Sequence, residues 1–406
     1  MRANWTEISL PALGANLQAF RRRLRLGARA SGPPPRLCAV VKANAYGHGL
    51  VECARTLVAA GAEWLAVTDT AEAAALRQAR IRGRILVLGD FDGADAEAMV
   101  RLGLTPTVWT DAQVLRLARA ASPRAAGIAV HLKVDTGMAR LGAPAAALPR
   151  LARQAARRGL KVEAIYTHLA SSEGPAAGVA VQLRTLAAAL AAVDPAITAA
   201  PGFFWHAANS AAAWRWAALR GGLARPPGSM LSGPGLARIG LGLYGSCLAA
   251  EAEPHLRPVL AWKTRVIALR RIPAGSPVGY GGDRPGGWKA RRPAWIATLA
   301  CGYADGYFRA IHSVPAAHVL IRGRRAPFAG RISMDLMSVD VTGIPGVRQG
   351  EEAVLIGRQG RERIRPADLA HWAGTIPYEV TCAIAGRVRR VYLTAPRQQR
   401  RGAGRA

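Results

Sequence analysis

From residue 37 onward the chain alternates short apolar runs with longer amphipathic stretches, and that rhythm predicts its first fold element by element. The runs read LCAVVK (37–42), WLAVTD (64–69), RILVLG (84–89), TPTVW (105–109), GIAVHLKVD (127–135), VEAIYTHL (162–169), FFWHAANS (203–210) and ARIGLGLYG (237–245). Between them, stretches rich in Ala, Leu and Arg over 50–60, 70–79, 94–102, 111–121, 145–158, 178–192 and 210–219 read as helices. Eight buried strands separated by helices over roughly 240 residues predict an α/β fold that begins with an N-terminal (β/α)8 TIM-type barrel.

After residue 245 the rhythm is lost. The runs PVLAWKTRVIALRRI, WIATLACGY, HVLIRGRRAPFAG, SMDLMSVDV, EAVLIG and AGRVRRVYL, set between Gly and Pro, predict a C-terminal mostly-β domain with one helix near 365–373. The division is placed at 1–247 for the barrel and 248–396 for the β domain. The last ten residues, RQQRRGAGRA (397–406), read as a basic disordered tail.

A barrel puts its chemistry at the C-terminal ends of its strands. Polar residues stand there: Lys42 and Tyr46 after the first run, Asp69 after the second, Lys133 and Asp135 in the fifth, His168 in the sixth, Asn209 and Ser210 in the seventh, Arg238 with Gly240 in the eighth. In the fifth run Ile128, Val130, Leu132 and Val134 share one face while His131, Lys133 and Asp135 share the other, so the polar set points inward and needs partners.

Composition sharpens one of these candidates. The chain has 55 basic residues but only five lysines: Lys42, Lys133, Lys161, Lys263 and Lys289. Lys42 ends a strand, where a snorkelling lysine is commonplace. Yet a lysine kept where arginine has replaced nearly all others needs its amine, because arginine cannot lose its proton and so cannot serve as nucleophile or base.

The remaining composition narrows the class. Half the residues are hydrophobic and 20% are charged, as in an ordinary globular protein. No apolar run reaches the roughly 18 residues of a membrane span, and residues 1–20 lack the charged and apolar regions of a signal peptide. Five cysteines without a CxxC fit a reducing compartment and predict no metal site, so the expected location is the cytoplasm. The net charge of +30 is spread along the chain, densest at 21–25 and in the tail, with no nucleic-acid motif beside it. It reads as a solvated surface, with neither nucleic acid nor membrane as partner.

The segment VVKANAYGHG (40–49) resembles the pyridoxal-phosphate (PLP) attachment site of bacterial alanine racemases. HLKVDTGMARLG (131–142), THLASSE (167–173), HAANSAA (206–212), ARIGLGLYG (237–245), GYGG (279–282), CGYADGYFR (301–309), AGRISMD (329–335) and IPYEVTC (376–382) resemble that family's motifs in the same order. The resemblance covers all but the tail. It implies a barrel-plus-β-domain enzyme that interconverts L- and D-alanine and supplies D-alanine for peptidoglycan, working as a head-to-tail homodimer with shared active sites.

The same resemblance assigns roles. Lys42 would carry PLP and act as base on one face of the substrate, and Tyr280 of a second subunit would act on the other. A free tyrosine titrates near about 10 and needs help to act as a base; His168, with Arg238 behind it, would give that help. Arg238 would also donate to the pyridine nitrogen. Tyr46, Asn209, Ser210, Gly240, Leu241 and Tyr378 would hold the cofactor, chiefly its phosphate. Arg140 and Met334 would meet the substrate, and Tyr303, Arg309 and Asp335 would line an entry funnel. Lys133 would be carbamylated, the alternative being a plain lysine paired to Asp135.

The sequence departs from the pattern at Ala139, where the family commonly has glycine, at Ser333, where it commonly has cysteine, and in a longer segment at 221–235. Racemisation of serine or of a broader set of amino acids stays open. So do a decarboxylase of basic amino acids with the same architecture and a PLP carrier built on the barrel alone, against which the β domain and its GYADG motif argue.

Overall fold

The structure, a computed structural model, describes residues 3–28, 34–89, 95–121, 127–216, 235–247 and 249–394. It falls into two compact units, one made of Leu13–Ala45 and Leu50–Arg257, the other of Met1–Ala12, Tyr46–Gly49 and Pro258–Ala406.

The chain enters on strand β1 (Asn4–Ser9), which belongs to the second unit. The first unit holds β2 (Arg36–Val40), β3 (Trp64–Val67), β4 (Arg84–Val87), β5 (Thr105–Val108), β6 (Ala129–Asp135), the two-residue β7 (Ala143–Pro144), β8 (Lys161–Tyr166), β9 (Phe204–His206) and β10 (Leu236–Ile239). Eight of these pair in the order β10-β2-β3-β4-β5-β6-β8-β9, every neighbouring pair parallel, with β7 beside β6. Backbone bonds from Gly235 N to Trp205 O (2.8 Å) and from Arg238 N to Ala208 O (2.9 Å) join the ends of the sheet into a near-closed barrel. All eight apolar runs of the sequence therefore supply a strand. Helices Leu50–Ala59, Thr70–Gln78, Ala96–Arg101, Asp111–Ala121, Leu148–Arg157, Ala176–Ala191 and Ser210–Trp214 lie between them as the periodicity predicts.

The strands are buried on both faces, as parallel strands under a helical shell must be. Their inward side chains fill the barrel with aromatic and polar groups. The rings of Tyr166 and His206 stack at 4.4 Å, and His131 meets Trp64 at 5.0 Å and Phe204 at 5.3 Å. The alternation in β6 thus places His131 and Lys133 inside, both buried.

In the second unit β1 pairs antiparallel with β11 (Leu260–Ile272) and parallel with β18 (Arg389–Leu393). β12 (Ala294–Leu299), β13 (His318–Ile321), β14 (Arg324–Pro327), β15 (Met337–Asp340), β16 (Glu352–Gln359) and β17 (Glu362–Ile364) complete a sheet of path β14-β13-β16-β11-β1-β18, with β12, β15 and β17 branching from it. The helix Pro366–Ala373 stands where the sequence put one, followed by a second, Pro377–Cys382.

Where the sequence reading draws one cut after residue 247, the units are discontinuous. Strand β1 is short but alternates cleanly, and its partners fix it: Asn4 Oδ1 accepts from Trp262 Nε1 at 2.7 Å, and Glu7 pairs with the buried Lys263 at 3.0 Å. The tail at 397–406 and, except for Gly235, the 221–235 segment lie outside the described residues. No helix among the described residues is long and apolar enough to cross a membrane.

Candidate active site at the barrel rim

Lys42 follows the C-terminal end of β2, half-buried, and the backbone after it turns left-handed. Ala43, Asn44, Ala45 and Tyr46 have φ of 53°, 52°, 54° and 54°. For residues with a Cβ this conformation costs about 1–2 kcal/mol each, and strain of this kind gathers at functional sites. Local bonds hold it: Ala45 N donates to Val41 O (2.8 Å), and Asn44 Oδ1 accepts from Leu50 N (2.8 Å).

Behind Lys42 lies a group of cations. Lys133 is 6% exposed, and burial, then Arg238 and Arg140, pull its pKa down to about 8. Asp135 does not serve as its hydrogen-bonded partner: Oδ1 accepts from the N–H groups of Gly137 and Met138, both at 2.9 Å. Arg140 is exposed, after a turn in which Ala139 has φ of 54°. The position where the family commonly has glycine is thus one whose backbone asks for it.

Arg238 is 4% exposed. Its Nη1 donates to His206 Nδ1 at 2.5 Å, and its Nη2 donates to Thr167 O (2.8 Å) and Ala207 O (3.1 Å) and approaches His168 Nδ1 at 3.4 Å. Burial, then Arg238, Arg140 and Lys133, hold His168 well below the usual histidine range, so it is neutral at physiological pH. With Nδ1 facing a guanidinium, its proton belongs on Nε2.

Ser210 Oγ accepts from Gly240 N (3.0 Å) and Gly242 N (3.3 Å), gathering a hydroxyl and two backbone N–H groups at the ends of β9 and β10. Asn209 caps the helix that Ser210 opens, accepting from Ala212 N (3.1 Å) and from Ser172 Oγ (2.8 Å). Leu241 is buried beside them. Asp69, a rim residue by sequence, is likewise a cap: it accepts from Glu72 N at 2.9 Å.

The other candidates belong to the second unit. Tyr46 is buried with its ring 5.9 Å from that of Tyr378. Between Tyr46 and His48 only glycine fits, since a Cβ on Gly47 would lie 2.0 Å from Thr381 O. Tyr280 stands in a turn between Gly279 and Gly281, whose φ are 69° and 70°, and is 73% exposed. Met334 and Tyr303 are exposed at 55% and 42%, and Arg309 is exposed as well. Asp335 pairs with Arg387 at 2.7 Å, and Arg387 also holds the buried Asp305 at 2.7 Å.

Sequence reading missed His206 as the closest partner of Arg238, and with it Glu163. The signal was present in FFWHAANS, where His206 shares a strand face with Phe204, inside the barrel. Which arginine it meets is a tertiary fact.

An amine on a strained turn, a buried guanidinium and a hydroxyl with backbone N–H groups suit a ligand bearing a carbonyl, a ring nitrogen and an anionic group. Fold and site together define a (β/α)8-type barrel protein that carries its polar groups at the strand ends, with a second, mostly-β unit. Two family models match the chain: Alanine racemase, N-terminal domain, over residues 15–246, and Alanine racemase, C-terminal domain, over 259–392. The chain is 40% identical over 401 residues to the alanine racemase of Symbiobacterium thermophilum, covering 97% of each. It is 37% identical over 388 residues to that of Syntrophobacter fumaroxidans, covering 95% of this chain and 96% of the other. Among solved structures it is similar to alanine racemase from E. faecalis, with TM-score 0.83, 28% identity, 97% of this chain and 98% of that one. It is also similar to alanine racemase from D-cycloserine producing Streptomyces lavendulae, with TM-score 0.82, 30% identity and 98% of each. The chain belongs to the alanine racemase family of PLP-dependent isomerases.

Proposed function

We propose that this chain racemises alanine by a two-base mechanism, with Lys42 on one face of the substrate and Tyr280 of a second copy on the other. The observation that carries this reading is the pairing of a lysine on a strained rim turn with a buried arginine that, among the described residues, has no carboxylate as a hydrogen-bond partner. PLP, when bound, supplies the electron sink that makes the α-proton of an amino acid removable. Lys42 would hold it through its amine. Arg238 would donate to its ring nitrogen, as a group that cannot give up its proton. Ser210, Asn209, the backbone at Gly240 and Leu241, and the hydroxyls of Tyr46 and Tyr378 would receive the phosphate end.

Racemisation needs a group on each face, because one base alone tends to return the proton to the face it left. The amine of Lys42 takes or gives the α-proton on its side. Tyr280 does so on the other, its phenolate steadied by the Nε2–H of neutral His168. Its exposure on a single chain suits a residue delivered to a second copy, in a head-to-tail homodimer. Arg140 and Met334 hold the substrate, and Tyr303, Arg309 and Asp335 line its approach. Lys133 as a carbamate is an anion between Arg238 and Arg140, replacing repulsion by attraction. The product, D-alanine, serves peptidoglycan synthesis in the cytoplasm.

Purified protein incubated with L- or D-alanine in deuterated water tests this directly. The expected result is inversion of either enantiomer with deuterium at the α-carbon. Loss of carbon dioxide, or no exchange from either enantiomer, overturns it.

A further inference from the structure

Inside the barrel a series of polar contacts leads away from the rim. Arg238 Nη1 meets His206 Nδ1 at 2.5 Å, His206 Nε2 meets His131 Nδ1 at 3.1 Å, and His131 Nε2, which has no hydrogen-bond partner among the described residues, faces Glu163 Oε2 across an electrostatic contact of 3.4 Å. Both oxygens of Glu163 accept from Arg84, at 2.5 Å each. Arg84 is the first residue of β4 and its guanidinium lies 4.0 Å from the ring of Trp64, the first residue of β3. The series therefore ends at the N-terminal side of the barrel, opposite the strand ends that carry Lys42 and His168.

The two ends fix every proton between them. A guanidinium only donates and a carboxylate only accepts. His206 Nδ1 is therefore bare, its proton sits on Nε2, and that proton points at a bare Nδ1 of His131. His131 in turn carries its proton on Nε2, toward Glu163. The same order follows from either end, with both imidazoles neutral. Burial, then Arg238, holds His206 well below the usual range, and burial lowers His131 as well. Burial alone would raise Glu163, but its contacts with His131 and Arg84 outweigh that and bring it to about 2, so it stays an acceptor.

We propose that Glu163 and His131 are positioning residues for Arg238: their ordered series presents the bare Nδ1 of His206 to the guanidinium and so fixes the direction in which Arg238 points. The inference rests on the proposed place of Arg238 at the cofactor. Without an acceptor at residue 163, the buried His131 N–H loses the carboxylate it faces. The series then relieves that cost only by reversing, which sets an N–H of His206 against Arg238.

The test is nitrogen-15 NMR of histidine-labelled holoenzyme, together with racemisation rates. In the wild type, His131 and His206 each show one tautomer with bare Nδ1 between about pH 5 and 8. Glu163→Met gives mixed tautomers at His206 and lowers kcat about tenfold or more. Glu163→Gln keeps an accepting oxygen and restores both the single tautomer and most of the rate. Arg84→Met breaks the ion pair but keeps the acceptor, and leaves the His206 signals as in the wild type. The proposal is overturned if wild-type His206 carries its proton on Nδ1, a result that needs no variant. It is also overturned if Glu163→Met leaves His206 unchanged, if Glu163→Gln is as damaging as Glu163→Met, or if Arg84→Met alone scrambles the histidines. The histidine signals are read without turnover, so a wild type that fails to racemise sinks the functional reading while leaving the ordered series standing.

Discussion

The guanidinium of Arg238 ends 2.5 Å from Nδ1 of His206, and its other hydrogen-bond partners are carbonyl oxygens and a second imidazole. Placed at the cofactor's ring nitrogen as proposed, a cation held in this way would bring a permanent proton to it, so that nitrogen would stay unprotonated and the ring would be a weaker electron sink. Weak withdrawal favours quick return of a proton to carbon. Arg238→Glu reverses the preference: racemisation should fall about a hundredfold or more, and a larger share of turnovers should end in keto acid. Counting pyruvate formed per alanine inverted checks this, and an unchanged ratio contradicts it.

Lys133, with its pKa pulled down to about 8 by burial and by Arg238 and Arg140, holds an appreciable fraction of free amine near neutral pH. The free amine adds carbon dioxide and releases a proton; the ammonium does not. Protein equilibrated with carbon-13 bicarbonate should show a carbamate signal that grows from about pH 6 to about pH 8.5 as the amine deprotonates. The signal should be absent in Lys133→Arg. Its absence from the wild type at the upper pH would leave Lys133 a plain lysine.

Ala139 holds a left-handed backbone with φ of 54°, and Gly137, two residues earlier, has φ of 131°. Ala139→Gly removes the clash of Cβ with the following carbonyl and adds chain entropy to the unfolded state, for a net gain of about 0.5–1 kcal/mol. The urea midpoint should rise with an unchanged slope. A lower midpoint would mean that this turn relaxes in solution.

Glu163 has its pKa depressed to about 2, so its contribution to stability is fully present above the unfolded carboxylate pKa and is lost as pH falls toward 2. With an unfolded value of about 4.3, that contribution is about 3 kcal/mol at neutral pH and roughly half of it is gone by pH 3. Urea unfolding of the wild type and Glu163→Gln at the two pH values checks the sign. The gap between them should narrow in acid, and a gap that widens contradicts the assignment.

Much of the barrel was legible because its strands come from short apolar runs that give way to polar residues such as Lys42, Asp135 and His168. Strand β1 was not, because NWTEIS finds its partners Trp262 and Lys263 only across more than half the chain, and no local pattern announces such pairing. Helix Leu10–Ala28 follows it directly, ahead of the first apolar run. Asp69 could have been recognised as a cap from the Glu three residues on. The rim residues were readable from position alone, whereas the ordering of His206, His131 and Glu163 depends on three strands meeting inside the barrel.

Tyr280 is 73% exposed on the single chain, and the proposed mechanism sets it to work with Lys42 of another copy. Lys42→Ala and Tyr280→Phe should each be inactive alone. Mixed by co-refolding, they form hybrid dimers in which one of the two sites regains an intact lysine and an intact tyrosine from different subunits. Random assortment should then restore racemisation to about a quarter of the wild-type rate. Mixtures that stay inactive, although hybrid dimers are demonstrated by differential tags, would contradict a site shared between copies.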